Sequence, residues 1–244
     1  MPFTFSHPAI VLPLAVLPKR FFSITGLIVG SMIPDFEYFL RMKLQSNYSH
    51  TLEGMLWFDL PLAILVSFTF HNLVKKKFID NLPLFFKSRF FIFKGFDWNA
   101  YFIKNYWVVC LSILIGVLSH LFWDSFTHYD GYFVNAFPIL ENSIFFLNLE
   151  VPILKILQHS STFLGAILIF LVILKMPKYK SVDKKISINY WLLILIIPLL
   201  ITSCKVWIVE DYKFGNLLVT YIASLLLSLI FCPLFLSKKS DEIL

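Results

Sequence analysis

The sequence has too little charge for a soluble domain of its length. Only 15% of its 244 residues are charged, whereas soluble domains carry roughly 25%. Hydrophobic residues make up 58% of the chain, and the mean hydropathy is +0.77. A soluble fold would leave much of this apolar surface in water, so the composition predicts an integral membrane protein.

Paired cysteines and the short motifs of several large enzyme classes are also absent. Cys110, Cys204 and Cys232 stand inside apolar runs without a paired spacing. We interpret them as small buried hydrophobes, not as a disulfide or a zinc-finger set. The chain has no G-x-S-x-G elbow, no P-loop, no G-x-G-x-x-G and no H-E-x-x-H. The sequence therefore gives no support to serine hydrolases, nucleotide-binding enzymes or zincins.

Long apolar runs, in contrast, are frequent. A transmembrane helix needs about 20 apolar residues. A seventh run, 3–17, is short and contains prolines, so it is a thin span, a re-entrant piece or an interfacial helix. The predicted fold is all-α, a polytopic transmembrane helical bundle of six or seven spans, in a single integral membrane domain, 1–244. The six long runs are 21–40, 54–74, 101–123, 152–174, 187–209 and 215–236.

The basic residues predict the orientation. The net charge is +6, but Lys and Arg cluster between spans, where the positive-inside rule explains them, so no nucleic-acid partner is expected. The connection 124–150 is acidic, has no Lys or Arg, and is predicted to be extracytoplasmic. The C-terminus, with Lys238 and Lys239, is predicted to be cytoplasmic. Arg41 and Lys43 are two exceptions, because they fall in a connection predicted to be external.

The segment 75–100 is predicted to be a cytoplasmic basic and aromatic amphipathic connection. Seven of its residues are Phe or Trp between 85 and 98, interleaved with Lys and Arg. Such a stretch either lies on anionic lipid or packs under the helices as an ordinary aromatic-rich loop. The sequence leaves both alternatives open.

Three ionisable residues form a ladder at the end of the run 101–123 and just after it. His120, Asp124 and His128 are spaced four apart, which keeps them within an arc of about 80° on one helix face. A single membrane histidine is most often a hydrogen-bonded core residue. Two histidines and an aspartate on one helix face favour a metal site, because His and Asp are ligands for zinc and other divalent metals.

Two further segments carry polar residues to the same predicted face. Pro34 precedes Asp35, so a proline kink should present this carboxylate near the external end of its helix. His50 lies in the external loop that follows, with Glu53 three residues later. His7 reaches this face only if the first segment spans or re-enters. The convergence of these residues with the ladder predicts one external site.

Two other polar positions are interpreted separately. His71 lies near the cytoplasmic end of its run and is interpreted as a structural residue. The patch 158–161, Gln-His-Ser-Ser, either supports the site and its substrate or packs as small residues between helices.

With these residues identified, the chain resembles a family of uncharacterised bacterial polytopic membrane proteins, a domain of unknown function. The resemblance covers both signature regions and implies a bacterial plasma membrane protein. The matching segments are MPFTFSHPA at 1–9, GSMIPDFEYF at 30–39, SHTLEG at 49–54 and GVLSHLFWDSFTHYDG at 116–131.

The order His, Pro-Asp, Ser-His-Thr and His-x-x-x-Asp is more distantly similar to that of predicted membrane-bound metal-dependent hydrolases. The His-x-x-x-Asp pair is also similar to that of zinc phospholipase C type enzymes, although their tryptophan-initiated ligand and H-x-x-x-E element are not found here. By this resemblance the metal ligands would be His7, Asp35, His50, His120 and Asp124.

Two functions from different classes follow. The favoured one is a metal-dependent hydrolase of a phosphoester or ester, acting on a lipid or lipid-linked substrate at the extracytoplasmic face. It would use a divalent metal, with zinc expected and manganese or magnesium as alternatives, and Glu53 or Asp130 as the general base. The alternative is a small transporter or structural partner with a structural polar or metal cluster. Apart from Lys205 and the patch 158–161, the helix centres are apolar, which favours a site at one face over a pathway.

Overall fold

The computed structural model describes residues 3–18, 20–146, 149–180 and 182–236. Within these ranges the protein is α-helical, and its one sheet is a two-stranded hairpin. The predicted all-α class is therefore confirmed. Lys238 and Lys239, which support the predicted orientation of the C-terminus, lie outside the described residues.

Five of the described helices are long and apolar enough to cross a membrane. Each coincides with one of the six long apolar runs, which confirms a polytopic membrane protein. The prediction of six or seven spans goes beyond these five and stays a prediction. The five helices are Met55–Asn81, Trp98–Asp124, Ile153–Lys175, Ile188–Val209 and Phe214–Phe235.

The α-helical segments are numbered in chain order. The helix Met55–Asn81 contains α4 and α5 together with two π-helical stretches, Met55–Asp59 and Phe70–Val74. The segments are α1 (Pro8–Val11), α2 (Ile24–Met32), α3 (Phe36–Arg41), α4 (Leu60–Thr69), α5 (Lys75–Asn81), α6 (Leu84–Phe90), α7 (Trp98–Asp124), α8 (Tyr132–Ala136), α9 (Ile153–Lys175), α10 (Ile188–Val209) and α11 (Phe214–Leu236).

The remaining long run, 21–40, is a broken helix. A 3-10 turn, Ile33–Asp35, separates α2 from α3. Pro34 lies in this turn, and it has no backbone N–H to continue the α-helical ladder. The short run 3–17 is also irregular, since α1 lies between the 3-10 turns Thr4–Ser6 and Leu12–Val16.

The acidic connection 124–150 leads into a two-stranded antiparallel sheet. Strands β1 (Ser143–Phe146) and β2 (Leu149–Pro152) pair antiparallel, with Ile144 opposite Val151. The connection also contains α8. It is therefore a structured segment with short elements of its own.

The chain divides into two compact units, each assembled from three stretches. The first unit comprises 1–35, 48–64 and 105–175, and the second comprises 36–47, 65–104 and 176–244. All six predicted metal ligands belong to the first unit.

Small residues bring α2 and α7 together inside the first unit. A Cβ on Gly26 would lie 2.9 Å from the carbonyl oxygen of Val109, and one on Gly30 would meet the backbone of Ile113. A Cβ on Gly116 would lie 2.6 Å from the carbonyl oxygen of Leu27. The two backbones can approach this closely only because these positions lack a side chain.

The second unit has two apolar clusters. Phe39 of α3 packs with Val219 and Ala223 of α11. Tyr190 and Ile194 of α10 pack with Cys232 of α11. The three cysteines are free, but only Cys232 is fully buried, and Cys204 is exposed on the surface of α10. The interpretation as buried hydrophobes is therefore wrong for Cys204, because its helix face is not covered by another described segment.

Candidate metal centre

The site begins with one turn at the end of α7. His120 and Asp124 lie four residues apart on the face of α7, and both are buried. His120 Nε2 lies 3.2 Å from Asp124 Oδ2. The spacing that the sequence predicted as a ladder therefore brings these two side chains together.

The close packing of α2 fixes the orientation of His120. His120 Nδ1 lies 2.8 Å from the carbonyl oxygen of Ser31, to which it donates its proton. Because the Nδ1 atom carries this hydrogen, Nε2 is the nitrogen that faces the carboxylates and could bind a cation beside them. The helix contact at Gly30 and Gly116 is what places this carbonyl within reach.

The break after α2 supplies the second carboxylate. Asp35 is the last residue of the 3-10 turn and is fully buried. Its Oδ1 lies 3.5 Å from His120 Nε2, and neither of its oxygens accepts a hydrogen bond from the described residues. Such an arrangement is costly unless a proton or a cation compensates the charge.

The turn before the helix Met55–Asn81 supplies the second imidazole. The side chain of Thr51 accepts a hydrogen bond from the backbone N–H of Gly54, the residue that precedes this helix. Ser49 Oγ lies 3.1 Å from His50 Nδ1. His50 Nε2 lies 3.7 Å from both Asp35 Oδ1 and Asp124 Oδ2.

Together these four residues form a group with the dimensions of a metal site. One ligand atom from each of Asp35, His50, His120 and Asp124 lies within 4.8 Å of the other three. A tetrahedral ion with bonds of about 2.0–2.1 Å holds its ligand atoms about 3.4 Å apart. The four oxygen–nitrogen distances of 3.2–3.7 Å in the cluster are close to this value. We call these four residues the metal cluster.

His7 lies against the metal cluster from the N-terminal segment. Its ring stacks on that of His120 with centroids 3.8 Å apart, and its Nε2 lies 3.7 Å from Asp124 Oδ1. The segment is held on α9, because Ser6 Oγ donates a hydrogen bond to the carbonyl oxygen of Thr162 at 3.0 Å. Neither ring nitrogen of His7 has a hydrogen-bond partner among the described residues. His7 thus lies near Oδ1 of Asp124, whereas His50 and His120 lie near Oδ2 of the same carboxylate.

His128, the third member of the ladder, lies at the rim. The helix α7 ends at Asp124, and His128 follows in a turn. Its Nδ1 lies 3.1 Å from the backbone oxygen of Asp124 and 3.7 Å from Oδ2 of that residue. Burial lowers the pKa of His128, which keeps the ring in the neutral form that can bind a metal.

The other predicted residues lie elsewhere. Glu53 and Asp130 are exposed, and their side chains make no hydrogen bond or ion pair with the described residues, so their catalytic role stays a prediction. His71 belongs to the second unit, where it stacks on Trp98 with centroids 4.7 Å apart, in line with a structural role. Ser31 was missed, because a backbone carbonyl leaves no residue-type signal in a sequence.

Comparison with known proteins identifies the family. The profile of a domain of unknown function, DUF4184, matches residues 1–234. The chain belongs to this family. A search of curated proteins and a search of solved structures each found no match.

Membership in the DUF4184 family confirms the predicted resemblance to a family of uncharacterised proteins. The match includes every segment that supplies the metal cluster, from Asp35 to Asp124. Since the family description carries no activity, the chemistry has to be argued from the geometry of the site.

Proposed function

We propose that this protein is a metal-dependent hydrolase of the bacterial plasma membrane that cleaves a phosphoester or ester bond in a lipid or lipid-linked substrate. The observation that carries the proposal is the metal cluster itself. Two carboxylates and two imidazoles converge at one point, and no group of the described residues other than these imidazoles lies within hydrogen-bond reach of the carboxylate oxygens as a donor. Ionisable groups are placed at such depth only at a cost, which function commonly explains.

The side chains of the metal cluster suit a divalent cation. Imidazole nitrogens with carboxylate oxygens are ligands of zinc, with manganese and magnesium as alternatives. Such an ion would polarise a phosphoryl or acyl oxygen and lower the pKa of a water molecule. Asp124 presents Oδ2 to His50 and His120 and Oδ1 to His7, so each of its oxygens would be available to hold a cation.

An apolar groove beside the metal cluster supports a lipid substrate. Its volume is about 320 Å³, and it lies between the end of α7 and α9. Trp123 and Thr127 line it, and each is the neighbour in sequence of a ladder residue. Ser160 and Ser161 of the polar patch line the same groove. We expect an acyl or prenyl chain to lie in this groove, beside the segment of the chain that carries Asp124 and His128.

Glu53 and Asp130 are our candidates for the general base. Both are exposed carboxylates in the turns that flank His50 and His128, and an ionised carboxylate accepts a proton from water if it comes within hydrogen-bond reach. Comparing Glu53→Gln with Asp130→Asn would separate them. By the charge pattern, the site belongs to the extracytoplasmic face, opposite to the basic connections.

The test combines metal content with turnover. The protein, purified in detergent, should contain at least one divalent ion per chain by elemental analysis. In mixed micelles it should cleave a phospholipid or a polyprenyl phosphate with added zinc or manganese, and a chelator should stop the reaction. Asp35→Asn should abolish turnover, whereas His71→Ala should retain it, because His71 packs on Trp98 in the second unit.

Two outcomes would count against the proposal. If the protein bound no metal under any of these conditions, the proposal of a metal-dependent hydrolase would be wrong. Bound metal with no cleavage of phosphoesters or acyl esters, and equal behaviour of both variants, would leave a structural metal site instead.

A further inference from the structure

The second unit contains a cavity that gathers basic side chains. Its volume is about 450 Å³. In the sequence, Arg41 and Lys43 were exceptions to the predicted orientation, and the structure brings both to this cavity. The charged residues of its lining are Arg41, Lys43, Lys205, Lys213, Glu210 and Asp211.

Lys205 is a charge built into an apolar helix. It lies in the last turns of α10, where an ammonium group is expensive unless it is partnered. Its Nζ contacts the backbone oxygen of Met42 and lies 2.9 Å from Thr220 Oγ1. Asp211 Oδ2 is 3.9 Å away. These partners fix the position of a positive charge at the wall of the cavity.

The cavity has more cations than the protein itself neutralises. The carboxylate of Glu37 pairs with Arg41, at 2.7 Å between Oε1 and Nη2. The side chains of Lys43 and Lys213 are exposed, and neither makes a hydrogen bond or an ion pair with the described residues. The lining has four basic side chains and two acidic ones, Glu210 and Asp211, and Asp211 interacts electrostatically with Lys213. Even with Arg41 paired to Glu37, the cavity keeps a net positive charge that can attract an anion.

Aromatic residues place the cavity at the level of lipid head groups. Trp207, Tyr212 and Phe214 are exposed around the connection between α10 and α11. Exposed aromatic side chains at the ends of spanning helices are typical of the membrane–water interface. Lys205 lies four residues before Val209, the last residue of α10, which is about 6 Å of helix rise. The cations therefore border both the head-group layer and the apolar layer.

We propose that this cavity binds the phosphate group of an anionic phospholipid, with Lys43 and Lys213 as the main contacts and Lys205 as a fixed charge behind them. A phosphodiester offers oxygen acceptors to several ammonium groups at once, and its acyl chains would remain in the bilayer beside α10 and α11. The residues of this lipid site belong to the second unit, whereas the metal cluster belongs to the first. Binding of the lipid here does not depend on the proposed hydrolase activity.

The experiment measures lipid binding to the full chain in a neutral detergent by native mass spectrometry. Three probes distinguish the source of the phosphate: a phosphatidylglycerol, a diacylglycerol with the same chains, and inorganic phosphate. We expect one tightly retained phosphatidylglycerol, no retained diacylglycerol, and little displacement of the lipid by millimolar phosphate. Equal retention of diacylglycerol would overturn the phosphate assignment. Displacement by inorganic phosphate at the lipid's own concentration would overturn the lipid assignment.

Matched variants test the residues. The double variant Lys43→Gln with Lys213→Gln should weaken phosphatidylglycerol binding by at least about tenfold, since each basic residue near a membrane surface contributes a severalfold change. Lys76→Gln with Lys77→Gln removes the same charge from exposed positions of α5 in the same unit, and should leave the affinity unchanged. Equal losses in the two double variants, or no loss in the first, would contradict the proposal.

Discussion

At the scale of single residues, His120 is tightly constrained by its surroundings in the first unit. Its side chain is fully buried, one nitrogen donates to the Ser31 carbonyl, and the other faces two carboxylates. A ring held in this way cannot rotate to find other partners. Its Nε2 atom is therefore held beside the carboxylates of Asp35 and Asp124, where it can take part in neutralising their negative charge.

Replacing His120 should remove the metal's contribution to stability. An ion present at 1,000 times its dissociation constant stabilises the folded protein by about 4 kcal/mol, or on the order of 10 °C in melting temperature. We expect the wild type to lose about this much on chelation and His120→Ala to be insensitive to the chelator. The measurement is thermal unfolding in detergent with and without chelator.

His159→Ala is the matched control for this comparison. His159 is exposed on α9 in the same unit, so its variant should respond to the chelator like the wild type. If His120→Ala kept the full response, the ligand assignment would be wrong.

The residues that come together in the metal cluster were easier to find in the sequence than the contacts that hold them there. Side chains that ligate metals are rare in an apolar chain, so His120, Asp124, Asp35 and His50 stood out by residue type alone. The stacking of His7 on His120 depends on how the N-terminal segment packs on α9, and no periodicity encodes it.

At the scale of elements, the packing of α2 on α7 sets the distance between Asp35 and His120. The two helices meet through Gly26, Gly30 and Gly116, where added side chains would collide with backbone atoms. A change here moves a whole helix, and the carboxylate that follows α2 moves with it.

Gly30→Ala should therefore damage both stability and metal binding. Its Cβ would meet the backbone of Ile113, which cannot yield like a flexible side chain. We expect a loss of about 1–3 kcal/mol from overpacking and a lower metal content at equal protein concentration. Thermal unfolding and elemental analysis measure the two effects.

Gly95→Ala provides the control, because a Cβ at Gly95 would meet nothing within 4 Å. It should retain metal binding. Normal metal content in Gly30→Ala would show that the helix contact does not set the site geometry.

Elements were predictable where hydropathy alone decides them. Five of the six long runs coincide with the five long helices, and Pro34 correctly marked the break in the run 21–40. The hairpin β1–β2 was not predicted, because its eight residues carry no strong alternation, and the boundaries of the short 3-10 turns have no compositional signal.

At the scale of the whole molecule, the orientation in the membrane is the main prediction. It rests on basic connections on one side and the acidic connection 124–150 on the other. The side of the membrane on which the metal cluster lies depends on this orientation, because Asp124 of the cluster is the first residue of the acidic connection.

Single cysteines in a background without the three native ones test this orientation. Asn135→Cys, exposed in the acidic connection, should react with an impermeant thiol reagent on intact cells. Lys180→Cys, exposed in a basic connection, should react only after the membrane is permeabilised. Mass spectrometry of the labelled protein reports both, and the reverse pattern would place the cluster on the cytoplasmic side.

The separation of the cluster residues along the chain has a consequence for biogenesis. Asp35 and His50 leave the ribosome long before His120 and Asp124, because α4, α5 and α6 lie between them. During that interval the Asp35 carboxylate lacks the imidazole of His120, and burying it in lipid is costly. The nascent α2–α3 segment should therefore remain near the translocon or a membrane chaperone until α7 is inserted. Insertion of α7 is then the step that commits the first unit to its fold.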